Sequence, residues 1–477
     1  MPALLRKLIS RYYNERFEDF AVRLLYFFNT IDSYVLVAGG LSWCFWDWGR
    51  WQGYSGALMV AGAMWLAFKL ADFYPLFLLG ALPAVGALFL GTGLETGTAL
   101  ELLAWNLLGF VGIQVGFMGI PDSIVARDPS VALRKIWNSL WTVAPTTVSF
   151  SMSVAFAWLL SLGMAAQPLS PTPLVLGFWG LLFAAAYYTR LRLPRPHSSE
   201  KFQPQPPGPL VERVVMLNID GCRLDRLKSL DHPFIAELRQ RGSHIPQGME
   251  TVYRALTNPA FASILTGAPP PVHGIMSNNL GMTIRVPALP DLVPTILYGS
   301  MHVKHFSKPH WETRIVSLPR HGMRQSDDIM LGWLKDDLRN RREIRLFIAD
   351  LSETDFLGHA YGSDSQRYAE AMARSVDQVR DFMAWLAAQD GLQSTAILIC
   401  SDHGMVAIDH SYLLFDAERY TPFFLVGPGI RGNNPMPRPA SIMDITPTIA
   451  YLLGIGYPSQ AGGRVLVDAL EKPPAQA

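Results

Sequence analysis

An α/β domain with a mostly parallel sheet flanked by helices, preceded by an all-helical transmembrane domain, is the fold class this sequence predicts. Three observations carry that expectation. Composition changes abruptly near residue 195, from Leu-, Ala-, Phe-, Trp- and Gly-rich to charged and mixed. Long apolar runs fill most of the part before that point. From Val211 onward, short apolar runs alternate with helical patterns, as in a sheet covered on both faces.

The apolar runs lie near 26–46, 52–71, 74–93, 99–120, 140–163 and 172–190. A spanning helix needs about 20 residues, so about six spans are expected within residues 1–194. The second and third runs form a hairpin or one broken segment. Trp43, Trp46, Trp48 and Trp51 cluster at one end of the first run, as an interfacial belt does. Residues 4–25 mix apolar and basic positions, which suits an interfacial helix or a cytosolic extension of the first span.

Basic residues set the expected orientation. Arg6, Lys7, Arg11, Arg16 and Arg23 precede the first span, Arg127, Arg134 and Lys135 follow the fourth, and Arg190, Arg192 and Arg195 follow the sixth. With six spans this places the C-terminal domain on the cytoplasmic side, and a miscount by one reverses it. The first apolar stretch has no small-residue cleavage site, so no cleavable signal peptide is expected.

Residues 195–209 are polar and Pro-rich and read as an extended linker, reaching about 45 Å at about 3.1 Å per residue. An α/β domain over 210–470 and a flexible tail over 471–477 complete the expected organisation. The net charge of +1 excludes global attraction to a nucleic-acid polymer. Cys44, Cys222 and Cys400 make neither a disulfide framework nor a zinc-finger spacing, and they favour a reducing compartment for the C-terminal part.

Within the α/β part, VERVVMLNI, IRLFIADL, TAILICS and PFFLVG read as strands. HPFIAELRQRG, NPAFASILTG, about 364–389 and 443–453 read as helices. Asp220, Asp355 and Asp402 fall at or just past strand ends, where open α/β sheets bind ligands. With Thr257, His359 and His403 they supply carboxylates, imidazoles and a hydroxyl in the proportions of a two-metal site for phosphoryl chemistry. Singly, each has a plainer role: Asp220 and Asp402 in turns, Thr257 as a helix cap, Asp355 and His359 in a solvated loop. Their joint occurrence at strand ends is what argues for a site.

The segments NIDGCRLDRL, RALTNPAFASILTGAPPPVHGIMSNN, ETDFLGHAYGSDS, SDHGM, TPFFLVGPGI and MDITPTIAYLLGI, in this order, resemble the alkaline phosphatase superfamily in its type I phosphodiesterase/nucleotide pyrophosphatase branch. The resemblance runs from about Val211 to Leu470 and implies an alkaline phosphatase-like fold. It implies that Asp220, Asp402, His403 and Thr257 hold one metal, and that Asp355, His359 and a further histidine hold the second. Only His410 follows His403 in the chain, so that place falls to it or stays empty. Thr257 becomes the nucleophile and Asn278 a phosphate contact. Mixed Asp/His ligation suits two divalent ions, zinc or manganese.

One departure from the family pattern is Ala260, where an asparagine is often found; Asn258 comes directly after the threonine instead. Sulfatase chemistry needs a Cys or Ser convertible to formylglycine, with an Arg at a set offset, and Thr257 and Phe261 occupy those places. His273 reads as structural. The His- and basic-rich stretch 299–324 reads as a cap lining an anionic pocket or as a solvated face.

The expected activity is a membrane-anchored, metal-dependent phosphodiesterase acting on a phosphate ester, a lipid head group or a nucleotide. A phospho-head-group transferase, a phosphomonoesterase and a non-catalytic tethered binding module are the alternatives.

Overall fold

The computed structural model describes residues 119–139, 203–206, 208–278, 282–389 and 391–472, with scattered positions between 16 and 188. The chain divides into two compact units: Arg23–Ser123 with Pro129–Pro194, and Met1–Val22 with Ile124–Asp128 and Arg195–Ala477. The first of these is described chiefly by helix Ser130–Ser139 and the start of helix Ile120–Ala126, with a Lys135–Asp122 ion pair at 2.8 Å. The expected spans and the tryptophan cluster lie outside the described residues, apart from scattered helical positions. Among the described residues no helix is long and apolar enough to cross a membrane.

The other unit is built on strands β1 (Arg213–Ile219), β2 (Ser243–His244), β3 (Met249–Glu250), β4 (Thr295–Gly299), β5 (Glu312–Ile315), β6 (Leu346–Leu351), β7 (Thr395–Cys400), β8 (Tyr420–Thr421), β9 (Phe423–Val426), β10 (Asn434–Pro435) and β11 (Ala440–Ser441). Eight of them form one sheet in the order β10-β2-β9-β7-β1-β6-β4-β5, and β11-β3-β8 form a second. β7, β1, β6, β4 and β5 are parallel, as expected, whereas β9 (the PFFLVG run) pairs antiparallel with β7. β4 and β5 escape the sequence reading because β4 is only five residues long and β5 (ETRI) has no apolar run of its own.

β1, β6 and β7 are almost wholly buried because both faces of the sheet are covered. Side chains alternate between two cores. Val214, Met216, Leu346, Ile348 and Leu398 enter one core, and Val215, Leu217, Phe347, Ala349 and Ile397 enter the other.

Helices α1 (Pro233–Arg241), α2 (Thr257–Thr266), α3 (Met301–Phe306), α4 (Met323–Asn340), α5 (Glu353–Tyr361), α6 (Gln366–Ala387) and α7 (Ile445–Leu453) supply the cover. α2 and α7 pack on the first face through Phe261, Leu265, Ile449 and Leu453. α1, α4 and α6 cover the second, and α6 buries Tyr368, Met372, Val376, Val379 and Phe382 at helical spacing. Ser365 Oγ caps α6 by accepting from Tyr368 N at 3.2 Å.

Two expectations change here. The 299–324 stretch is more than a cap or a solvated face: it supplies the end of β4, α3 and the edge strand β5 of the main sheet. Part of the expected linker packs, because Gln203 Oε1 accepts from Val465 N at 3.1 Å and Tyr457 hydroxyl donates to Pro204 O. A Pro-rich segment with no helix or strand of its own still satisfies its polar groups on a neighbouring loop.

Candidate active site

Three parallel strands deliver the site at their carboxyl ends. Asp220 directly follows β1, Asp402 and His403 come two and three residues after β7, and Asp355 sits in the first turn of α5, just beyond β6. Asp355 and His359 are therefore on a helix at i,i+4 spacing, one above the other, and not in a solvated loop. Thr257 is the first residue of α2; Leu256 takes the cap position, so the threonine hydroxyl is not a helix cap.

Two groups of ligand atoms result: Asp220, Asp402 and His403 in one, Asp355, His359 and His410 in the other, each gathered within 4.8 Å. In the first, His403 Nε2 lies 3.4 Å from Asp220 Oδ1, 3.3 Å from Asp402 Oδ2 and 3.2 Å from Thr257 Oγ1. In the second, His359 Nε2 lies 3.4 Å from Asp355 Oδ2, and His410 Nε2 lies 3.6 Å from Asp355 Oδ1. The His403 and His410 rings stack at 3.8 Å, so the groups share a wall. His410, left open as a ligand by the sequence, is brought together with Asp355 and His359.

The histidine tautomers follow from backbone partners. Nδ1 of His403, His410 and His359 lies 2.9, 2.5 and 2.7 Å from the carbonyl oxygens of Gly404, Ala255 and Ile408. A carbonyl only accepts, so each Nδ1 carries the proton and each Nε2 presents a lone pair to the site. One buried oxygen each of Asp220, Asp355 and Asp402 has no hydrogen-bond partner among the described residues. Buried carboxylates and imidazole lone pairs facing one another without donors fit cations between them.

The electrostatics agree. Burial, then Asp402, Asp355 and Asp350, pushes the Asp220 carboxyl well above its usual range, and burial raises Asp402 as well. Burial, then His403 and His359, pushes the His410 imidazole well below its range. An isolated cluster of this kind resists being charged, and divalent cations would relieve it.

Asn278 reaches the start of α2: its Oδ1 accepts from Asn258 N at 2.9 Å, which leaves its amide NH2 to donate elsewhere. His273 is fully buried, its Nδ1 accepting from Ile275 N and its Nε2 3.0 Å from Ser263 Oγ on α2.

Sequence reasoning missed the layer behind the ligands. Asn218 and Asp350 are register partners on β1 and β6, joined by Asn218 Nδ2 donating to Asp350 Oδ1 at 2.7 Å. Asp350 Oδ2 lies 2.9 Å from His302 Nε2 on α3. The available signal was a polar residue interrupting each apolar run, in VVMLNI and LFIADL.

Residues 214–283 and 293–427 match the type I phosphodiesterase / nucleotide pyrophosphatase family. The α/β unit is similar to this family over those residues. Among curated proteins, an uncharacterised pyrophosphatase/phosphodiesterase of Schizosaccharomyces pombe is 25% identical over 231 residues, 42% of this chain and 46% of that protein. Arylsulfatase K of Mus musculus is 34% identical over 85 residues, 17% of this chain and 15% of that protein. The chain spans less than half the length of these curated relatives.

Among solved structures, murine ectonucleotide pyrophosphatase/phosphodiesterase 5 is similar at TM-score 0.44 and 13% identity, over 51% of this chain and 96% of that one. Wild-type alkaline phosphatase PafA is similar at TM-score 0.45 and 12% identity, over 57% and 100%. The matched family comprises hydrolases acting on phosphate esters.

Proposed function

We propose that this protein is a membrane-anchored, metal-dependent phosphodiesterase that attacks a phosphate ester through Thr257 Oγ1. The observation that carries the reading is the position of that hydroxyl, 3.2 Å from His403 Nε2 and beside two Asp/His groups whose free lone pairs converge. Asp220, Asp402 and His403, with Thr257, would hold one divalent cation, and Asp355, His359 and His410 the other. Zinc, or manganese in its place, suits the mixed ligation and would supply charge for the developing alkoxide and the leaving oxygen.

The chain's own residues orient the reaction. Thr257 opens α2, and the dipole of a helix favours negative charge at its start. Asn278, anchored by Asn258 N, has its amide NH2 left to donate to a phosphate oxygen. Burial of the ligands keeps water from dispersing these charges.

Residues 1–194 would form the multi-pass anchor and 195–209 the connection to the catalytic unit. The basic residues flanking the apolar runs support a catalytic unit on the cytoplasmic side. A site tethered there favours a phospholipid head group or other lipid-linked phosphate as substrate, with a nucleotide ester as the other phosphate-ester class.

The test is hydrolysis of bis-p-nitrophenyl phosphate, p-nitrophenyl phosphate and p-nitrophenyl sulfate by detergent-solubilised protein with zinc or manganese, beside Thr257→Ala. The expected result is metal-dependent turnover favouring the diester and lost in the variant. Preference for the sulfate would overturn the phosphodiesterase reading. No turnover by protein with two bound metals would favour a head-group transferase or a non-catalytic module. A reporter fused after Ala477 that is active only in the exported compartment would overturn the cytoplasmic placement.

A further inference from the structure

α5 carries two of the three residues in the Asp355–His359–His410 group, so where that helix begins decides where they stand. A helix start leaves backbone N–H groups without intrahelical partners. Ser352 occupies the cap position of α5, yet its hydroxyl makes no cap bond. The acceptor comes from another helix. Asp327 of α4 accepts from Ser352 N through Oδ1 and from Glu353 N through Oδ2, both at 3.1 Å. Its carboxylate is fully buried, and the Asp327–Ser352 bond joins residues 25 apart in sequence.

Two more ties reach the same turn from α6. Arg374 holds Glu353 with a fork, Nη2 donating to Oε1 at 2.7 Å and Nε to Oε2 at 3.1 Å. Thr354 Oγ1 meets Ser375 Oγ at 3.1 Å. Glu353 and Thr354 are buried, so water does not compete for these bonds. Ser352, Glu353 and Thr354 are thus each fastened to α4 or α6, and the next residue, Asp355, is a candidate ligand.

β1 bounds the same turn. A Cβ at Gly221 would lie 2.9 Å from Asp355 Cα, so the start of α5 abuts the chain just past β1. That contact and the bonds to α4 and α6 together leave the turn little freedom. Metal ligands must be held within about 0.5 Å of the coordinating geometry. A displaced first turn would carry Asp355 with it, and His359 one turn further along.

We propose that Asp327 is a positioning residue for the Asp355–His359–His410 metal position, acting through the first turn of α5, with Arg374 in the same role. The proposal rests on the two-metal reading above and extends it to side chains outside the ligand groups. Asp327 accepts from backbone and Arg374 holds Glu353, so both act through α5 and not on the metal.

The test reads metal affinity and needs no turnover. Full-length protein in maltoside detergent, stripped of metal with EDTA and then freed of it, is titrated with zinc against a chromophoric chelator. The wild type should bind two ions. Asp327→Ala should weaken one of them about tenfold or more, with the affinity for the other unchanged. Asp327→Asn keeps one acceptor oxygen and should fall between. Arg374 has 27% of its side chain exposed, so Arg374→Ala tests the same turn even if Asp327→Ala does not fold. It should weaken the same ion several-fold.

Two controls assign the effect. In the His410→Ala background, which keeps only the other position, Asp327→Ala should leave the remaining affinity unchanged. Val379→Ala, in the buried face of α6, should lower the melting temperature without moving either affinity. Two bound ions with both affinities unchanged in Asp327→Ala and Arg374→Ala would overturn the proposal. Equal weakening of both ions would also overturn it, as general loss of stability. A wild type that binds fewer than two ions would overturn the two-metal reading itself, and the positioning role with it.

Discussion

His359 and His410 face each other through their Nε2 atoms at 3.1 Å, and each commits its Nδ1 proton to a backbone carbonyl. Two imidazole lone pairs at that distance repel unless a proton or a cation lies between them. Asp355 approaches both rings at 3.4 and 3.6 Å. One divalent cation would satisfy all three groups together, and this relationship ties the second half of the site to the first.

Loss of His410 should therefore empty one position and leave the other. His410→Ala is expected to bind about one divalent ion per chain in place of two, with phosphodiester turnover reduced about 100-fold or more. Elemental analysis of the purified variant and a kcat measurement check it. Chelation of the wild type should lower its melting temperature by several degrees, because the crowded carboxylates lose their counter-charge; calorimetry with and without EDTA reads this.

Thr257 should be replaceable only by another hydroxyl. Thr257→Ser is expected to retain turnover within about tenfold, and Thr257→Ala to lose about 1,000-fold or more with metal content unchanged. Steady-state kinetics beside metal analysis separates loss of the nucleophile from loss of the site.

Gly221 allows Asp355 to approach. It has φ +64°, and a Cβ there would lie 2.6 Å from Asp355 Oδ1 and 2.9 Å from its Cα. Gly221→Ala should cost about 1–2 kcal/mol for the left-handed backbone alone. It should also displace Asp355 and weaken the Asp355–His359–His410 position. Thermal unfolding and metal titration together test this, and unaltered metal affinity would speak against it.

His273 should make the fold acid-sensitive. Burial holds its pKa down to about 3 in the folded chain, against about 6.5 when unfolded. Between those values the unfolded chain binds a proton that the folded one does not. Stability from this group is thus complete above about pH 6.5 and falls as pH drops. The loss at pH 5 should be about 2 kcal/mol. Urea unfolding at pH 7 and pH 5 should show it, and His273→Gln, less stable at pH 7, should show a smaller difference.

Much of the candidate site was legible because its residues sit where strands end. Asp220 and Asp402 follow apolar runs that only a doubly covered sheet explains, and Thr257 opens a helix whose sequence is visible. What stayed hidden depended on neighbours. β5 (ETRI) has no apolar run of its own and becomes a strand by pairing with β4. Asn218, Asp350 and His302 lie up to 132 residues apart along the joined pairs, and only strand register brings them together.

From the sequence alone came the α/β alternation, the two-sided burial of β1, β6 and β7, and the residue types of a metal-assisted phosphoryl site. These follow from periodicity and side-chain chemistry, which are local properties. Tertiary structure alone decided that His410 gathers with Asp355 and His359 and that all three imidazoles present Nε2. Each of these is a relation between segments distant in sequence, set by backbone carbonyls and strand register that no local pattern encodes.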